Sequence, residues 1–333
     1  MSEFARITIH ASQFPARVEQ DLIHSLRSRQ VDHKFHYDTV KQTARWLALH
    51  QAYSPSRTDP DCAAIYDRGF EAAQNLIQAA RVHLIGLGSG GGQKDSRLLR
   101  LLKSTNKEVF YTPSDVSSAM VLVARDAALQ VVEEDHCFPL VCDLASAEDL
   151  PVWLRQNSIP EAERLVTFFG MIPNFEPDVI LPRLAQLVGV GDWLLFSANL
   201  VPGSDYASGM QRILPLYDNE LTSEWLMTFL LDLGVERGDG QLEFRIENAQ
   251  AGLRRVAAYF SFNRRRQVRI GTQVFEFLPG EEIRLFFSYR HIPKLVGELL
   301  EQHGLTVMRQ WVTKSEEEGV FLCTRREADS RLT

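Results

Sequence analysis

The stretch Leu84 to Leu99 reads LIGLGSGGGQKDSRLL, and five of its sixteen residues are glycine. A glycine loop between an apolar run and an amphipathic one lets backbone amides approach a ligand, because no side chain holds it away. Three ligands suit such a loop: a dinucleotide, a triphosphate or an adenosyl group. Gly86-Leu87-Gly88-Ser89-Gly90-Gly91 satisfies the GxGxxG dinucleotide pattern, which alone is weakly specific. The triphosphate pattern GxxxxGK[ST] fails, since Lys94 follows Gln93 and precedes Asp95, so the last glycine and the magnesium-binding hydroxyl are both missing.

Two carboxylates narrow the choice. Asp115 closes FYTPSD and Asp143 closes FPLVCDL. A carboxylate after the second strand accepts from ribose hydroxyls in nicotinamide and adenosyl sites alike, at about 1.5–3 kcal/mol per charge-assisted bond. Asp143 stands where an adenosyl-dependent methyltransferase meets the adenine amine, although strand-end aspartates also serve as helix caps. His33, His36 and His50 lack a carboxylate partner and read as surface or pocket-rim residues, so no metal is expected. Cys62, Cys137, Cys142 and Cys323 show no CxxC spacing and read as reduced, buried thiols.

The elements that must position these groups alternate. VHLIGL, EVFYTPSD, FPLVCDL, RLVTFFGMI and DWLLFSANL are strand-like runs separated by helical segments, which describes βαβ units and a parallel sheet. After Leu200 the alternation stops: ELTSEWLMTFLLDLG is helical, and LEFRIENA, LRRVAAYFSF, QVRIG and VFEFLPG are strand-like. The chain closes with the helix HIPKLVGELLEQHG and an antiparallel pair, LTVMRQWVTK and VFLCTR, joined at SEEEG. Such a pair favours an adenosyl-dependent methyltransferase over a nicotinamide-dependent oxidoreductase, whose sheet continues with a sixth parallel strand. The oxidoreductase and a non-catalytic adenosyl-binding subunit stay as alternatives.

The 333 residues suit two domains, and 45% apolar with 24% charged residues suits a soluble enzyme. A net charge of −7 argues against nucleic-acid partners. Arg264-Arg265-Arg266 with Arg269 reads as a solvated hairpin end. Pro55 and Pro60 read as helix breakers. MSEFARITIHASQF carries no basic segment followed by a long apolar run, and no window approaches the ~18 apolar residues of a membrane span. A cytoplasmic protein acting on a small molecule is expected.

In order along the chain, LGSGGGQK, YTPSDVS, VTFFGMIPNFEP, GDWLLFSANLVP, PLYDNELTSEW, VFEFLPGEEIRLFFSY and HGLTVMRQW resemble the histidine Nα-methyltransferase family of the ergothioneine pathway. That family also includes fungal dimethylallyltryptophan N-methyltransferases, and the resemblance runs from about Phe35 to Thr324. It implies an α/β fold: a class I Rossmann-like methyltransferase sheet with a terminal antiparallel strand pair, over residues 62–204 and 291–327. A second α+β substrate domain would comprise residues 1–61 and 205–290. The implied cofactor is S-adenosylmethionine, with S-adenosylhomocysteine as product.

By the same resemblance, Gly88, Ser89, Gly90 and Lys94 line the cofactor, Asp115 takes the ribose, Asp143 and Leu144 face adenine, and Tyr37 closes over the methionyl end. Asn174 and Tyr217 hold the substrate carboxylate, and Tyr53 is a further pocket tyrosine. Tyr37, Tyr53, Asp218 or solvent would accept the amine proton. Two departures stand out. Phe286 replaces the glutamate that pairs with Ser288 to recognise imidazole, and Phe169, Met171 and Pro173 replace small residues around Gly170. Both changes imply an acceptor less polar than histidine. Gly86 also stands where the family usually carries a glutamate.

Overall fold

The computed structural model describes residues 4–326. Met1 to Glu3 and Glu327, at the ends of the expected domains, lie outside the described residues. Thirteen strands are formed there: β1 (Thr8–Ile9), β2 (Arg81–Leu87), β3 (Glu108–Asp115), β4 (Leu140–Val141), β5 (Ala162–Phe169), β6 (Trp193–Asn199), β7 (Gly240–Asn248), β8 (Arg254–Phe262), β9 (Arg266–Ile270), β10 (Gln273–Phe277), β11 (Glu282–Arg290), β12 (Leu305–Val312) and β13 (Glu318–Arg325).

The large sheet has the order β1-β4-β3-β2-β5-β6-β13-β12. Pairing from β1 to β6 is parallel, and β13 lies antiparallel between β6 and β12. This is the class I methyltransferase arrangement with one added edge strand: the hairpin folds its last strand inward, where a dehydrogenase sheet would continue parallel.

Strand periodicity explains the two cores. In β2, Val82 and Leu84 pack on the helices Pro60–Leu76 and Gln93–Lys103 through Ile65, Phe70, Leu98 and Leu102. The intervening Ile85 and Leu87 face the opposite core, with Val166, Phe168, Leu194 and Phe196. Successive side chains point to opposite faces, so a strand covered on both sides must be apolar throughout. Pro55 and Pro60 break the preceding helix and also occupy the first turn of the next ones, where a missing N–H is harmless.

A second, three-stranded antiparallel sheet, β11-β8-β7, and the β9–β10 hairpin follow the helix Glu220–Asp232. Leu26, Val31 and Phe35 from the N-terminal segment share one core with Trp225, Phe229, Phe260, Phe277 and Leu285. The basic run meets a partner its sequence neighbourhood does not show. Arg264 and Arg266 both pair with the fully buried Asp239, and Arg265 pairs with Glu276. All four cysteines are free and buried. Among the described residues no helix is long and apolar enough to cross a membrane.

Candidate active site

A cavity of about 1190 Å³ opens at the carboxyl ends of β2, β3 and β5, where the strand order reverses. One wall comes from the glycine loop and these strand ends. The other comes from residues 30–55, Tyr217, Trp225 and the end of β11.

The loop turns at Gly88, Gly90 and Gly92, whose φ angles are +64°, +52° and +69°. A Cβ at Gly88 would lie 2.6 Å from Met171, and one at Gly90 would lie 3.2 Å from the Trp46 ring. Neither position has room for a side chain, and both are left-handed. Asp115 locks the loop: one carboxylate oxygen accepts from Gly90 N at 3.0 Å, the other from Ser117 N at 3.0 Å. Burial raises its pKa to about 6 despite these bonds. Ser89 donates its N–H to Ser114 O at 2.9 Å.

Asp143 both turns the chain and forms an ion pair. It accepts from Ala145 N at 3.0 Å and Ser146 Oγ at 2.8 Å, and Lys34 Nζ stands 3.2 Å away. Lys34 is buried and also meets Asp21 at 2.6 Å. Leu144 lines the cavity beside Asp143. Lys94 donates to Tyr66 Oη at 3.0 Å, and Tyr66 donates to Glu318 at 2.5 Å. Glu318 is buried against the cavity, and that burial raises its carboxyl above the ordinary range.

In the other half, the Asn174 amide donates to Phe287 O at 2.9 Å, which fixes the amide plane and leaves its second hydrogen and Oδ1 available. Tyr217 Oη lies 2.8 Å from Ser288 Oγ and 3.0 Å from Arg290 Nε. Phe286 is buried, its ring centroid 5.5 Å from that of Trp225 and 6.4 Å from that of Tyr217. The Tyr37 ring packs between Trp46 at 5.9 Å and Trp225 at 5.5 Å. Burial and the Asp115 charge push its phenol well above the usual range, which suits a hydrogen-bond donor and disfavours a proton acceptor.

Of the residues singled out from sequence, Tyr37, Tyr53, Gly88, Ser89, Gly90, Lys94, Asp115, Asp143, Leu144, Asn174, Tyr217, Phe286 and Ser288 all line this cavity. Tyr53 stands at the mouth, half exposed. Asp218 does not line it: the turn that places Tyr217 on the cavity wall leaves its neighbour exposed to solvent. Nor is His36 at the rim. It is fully buried, its Nε2 bonded to Leu285 O at 2.6 Å, and burial lowers its pKa to about 4. His50 stacks on Trp46. No group of three His, Cys, Asp or Glu side chains able to hold a metal occurs among the described residues.

Sequence reading missed Trp225, Arg290 and Glu318 as cavity residues, and Asp95 beneath the loop, while His33, read as a surface or pocket-rim residue, lines the cavity. One signal was present. Phe286, Ser288 and Arg290 alternate along β11 and therefore share a face. His33 Nδ1 lies 3.2 Å from the Asn174 carbonyl oxygen, which only accepts, so Nδ1 carries the proton and Nε2 the lone pair. Burial, with His36 nearby, lowers the His33 pKa to about 4 and keeps the ring neutral.

Strand order, glycine loop and paired carboxylates together define a cofactor-binding domain of the methyltransferase class. The chain belongs to the family of histidine-specific, S-adenosylmethionine-dependent methyltransferases, whose model matches residues 18–325. It is 24% identical over 249 residues to the N-methyltransferase imqF of Aspergillus flavus, covering 72% of this chain and 65% of that protein. It is 22% identical over 241 residues to the N-methyltransferase fsqC of Aspergillus fumigatus, covering 71% of this chain and 64% of that one. The matched region thus spans just under two thirds of the length of these curated relatives. Among solved structures, the mitomycin 7-O-methyltransferase MmcR overlaps 95% of this chain and 70% of its own, at 14% identity and a TM-score of 0.41.

Proposed function

We propose that this protein is an S-adenosylmethionine-dependent N-methyltransferase acting on an α-amino acid or related amine less polar in its side chain than histidine. The observation that carries the substrate part is Phe286. It lies buried against Trp225 and Tyr217 at the position where the histidine enzymes place a glutamate for imidazole. A wall of three aromatic rings rewards apolar surface and offers nothing to a polar ring's N–H.

The cofactor fits the cradle. Gly88 and Gly90 line the cavity with backbone alone, and Asp115 presents a carboxylate beside them. Asp115 would accept from the ribose hydroxyls, Asp143 and Leu144 would flank adenine, Lys94 would meet the methionyl carboxylate, and Tyr37 would close over that end. Bound there, S-adenosylmethionine supplies an electrophilic methyl group on a sulfonium.

The chain's own part is to orient and desolvate. An acceptor amine must arrive uncharged, its lone pair in line with the methyl group. Asn174 and Tyr217 hold the acceptor, and neutral His33 offers Nε2 as a hydrogen-bond acceptor. The aromatic ring of Tyr37, Trp46 and Trp225 excludes water, which strengthens each polar contact inside. Tyr53, at the mouth, stands where the displaced proton can pass to solvent.

The two-part division at residues 62–204 with 291–327 and 1–61 with 205–290 belongs to the same proposal, as does a cytoplasmic location, which four buried thiols support. The test is turnover: purified protein, S-adenosylmethionine and a panel of amino acids and amines, with S-adenosylhomocysteine release and the methylated product read by mass spectrometry. Aromatic or aliphatic amino acids should outrun histidine. Turnover with histidine alone would overturn the substrate assignment.

A further inference from the structure

We infer that Arg290 binds an anionic group of the acceptor, so that the substrate is an amino acid with its carboxylate intact rather than a simple amine. The inference rests on the N-methyltransferase reading above.

Arg290 ends β11, is 7% exposed and lines the cavity two residues beyond Ser288. Its Nε donates to Tyr217 Oη at 3.0 Å, and Nη1 reaches Leu200 O at a long 3.4 Å. Both partners are neutral, and Arg290 forms no ion pair among the described residues. Of the other lining cations, Lys94 also forms no ion pair among the described residues, but it donates to Tyr66 Oη, acts on Glu318 and is placed above at the methionyl end of the cofactor. Lys34 pairs with Asp21 and Asp143, and Arg97 pairs with Asp67. Arg57 and Arg284 bond to the neutral Gln93 and Gln30, but at exposed positions where water hydrates them. The one carboxylate whose titration Arg290 influences is Glu318, which already accepts from Tyr66 and feels Lys94 more strongly. A guanidinium withdrawn from water with no carboxylate bonded to it is unfavourable, and a ligand of opposite charge reduces that penalty.

The neighbouring donors converge. Tyr217 Oη accepts from Arg290 and shares a hydrogen bond with Ser288 Oγ in which either hydroxyl can donate, so the three groups form one connected set on the cavity wall. Arg290, Ser288 and the second amide hydrogen of Asn174 then present N–H and O–H groups from one wall. A planar carboxylate matches that set, and the guanidinium supplies its charge. Tyr217 becomes a positioning residue for Arg290 rather than the main anion donor.

The experiment compares matched pairs, tryptophan with tryptamine, tyrosine with tyramine and phenylalanine with phenethylamine, on the wild type, Arg290→Gln and Arg290→Lys. The wild type should favour the amino acid of each pair. Arg290→Gln should raise KM for the amino acid by roughly 10- to 100-fold with a smaller change in kcat, and Arg290→Lys should recover part of it. The matching amine should shift by less than about threefold, since it lacks the group that Arg290 holds. Titration of each variant with S-adenosylhomocysteine establishes that the cofactor site still folds. Equal losses for amino acid and amine, or a wild-type preference for the amine, would overturn the assignment of Arg290 while leaving the methyltransferase reading intact. Cofactor binding without turnover of any member of either set would remove both.

Discussion

Gly86 offers the sharpest test of how the glycine loop is built. A Cβ at this position would lie 2.2 Å from Asp95 Oδ2 and 3.1 Å from Tyr111 Oη. The Asp95 carboxylate is buried, accepting from Tyr111 Oη at 2.7 Å and Thr167 Oγ1 at 2.9 Å. It occupies the space into which a side chain at position 86 would project. Gly86→Ala must push Asp95 aside. Breaking a hydrogen bond to an ionised carboxylate costs about 1.5–3 kcal/mol, and overpacking adds about 1–3 kcal/mol. Replacing glycine returns about 0.4–1 kcal/mol by restricting the unfolded chain, since Gly86 needs no positive φ. The net expectation is a loss of about 2–5 kcal/mol, measured by urea unfolding, with weaker S-adenosylhomocysteine binding by calorimetry. In an Asp95→Ala background the same change should cost less than about 1 kcal/mol, because the clash has gone. A neutral Gly86→Ala, or strict additivity across the cycle, would refute the reasoning. Gly86→Glu with Asp95→Ala should then bind cofactor better than Gly86→Glu alone.

Other expectations follow from the site. Cofactor affinity should be flat from pH 7 to 8 and fall as pH drops through about 6, because the raised Asp115 pKa means the carboxylate is lost there; calorimetry with Asp115→Asn, whose profile should be low and flat, checks it. The sign for stability is opposite, since a carboxyl raised by burial weakens the fold when ionised and the penalty is relieved on protonation. Phe286→Glu should raise the histidine-to-phenylalanine ratio of kcat/KM by roughly tenfold or more while costing about 2–4 kcal/mol of stability through lost packing on Trp225. An unchanged ratio would remove Phe286 as the selecting residue. Lys34→Met should destabilise by about 3–5 kcal/mol, leaving the Asp143 and Asp21 carboxylates without their shared cation, and adding Asp143→Asn should restore part of it in urea unfolding.

The parallel sheet was legible because β2, β5 and β6 are apolar at odd and even positions alike, as two-sided burial demands. The short edge was not. FPLVCDL reads as a full strand yet pairs only at Leu140–Val141, since Asp143 immediately turns the chain, and β1 is two residues long with a partner far away in sequence. Arg264 and Arg265 are exposed in the turn between β8 and β9, as the solvated reading expects, but their pairing with Asp239 and Glu276 comes only through the fold. His36 carries no periodicity that distinguishes a rim from a core, and the Asp32-capped turn decides its burial. In the cavity, Asp115 follows from a strand end and Asn174 from the family resemblance, whereas Trp225, Arg290 and Glu318 join the site only through the fold.

The placement of β13 reaches beyond the site. It is an interior strand, buried from Glu318 to Cys323 and flanked by β6 and β12, although it is the last strand among the described residues. During synthesis β6 therefore emerges from the ribosome with an open edge and must wait through the whole second sheet before its neighbour exists. That edge includes Leu194 to Phe196, an apolar template for wrong partners. The cofactor half thus matures only after translation has passed residue 325, and a nascent chain arrested earlier should need chaperone protection.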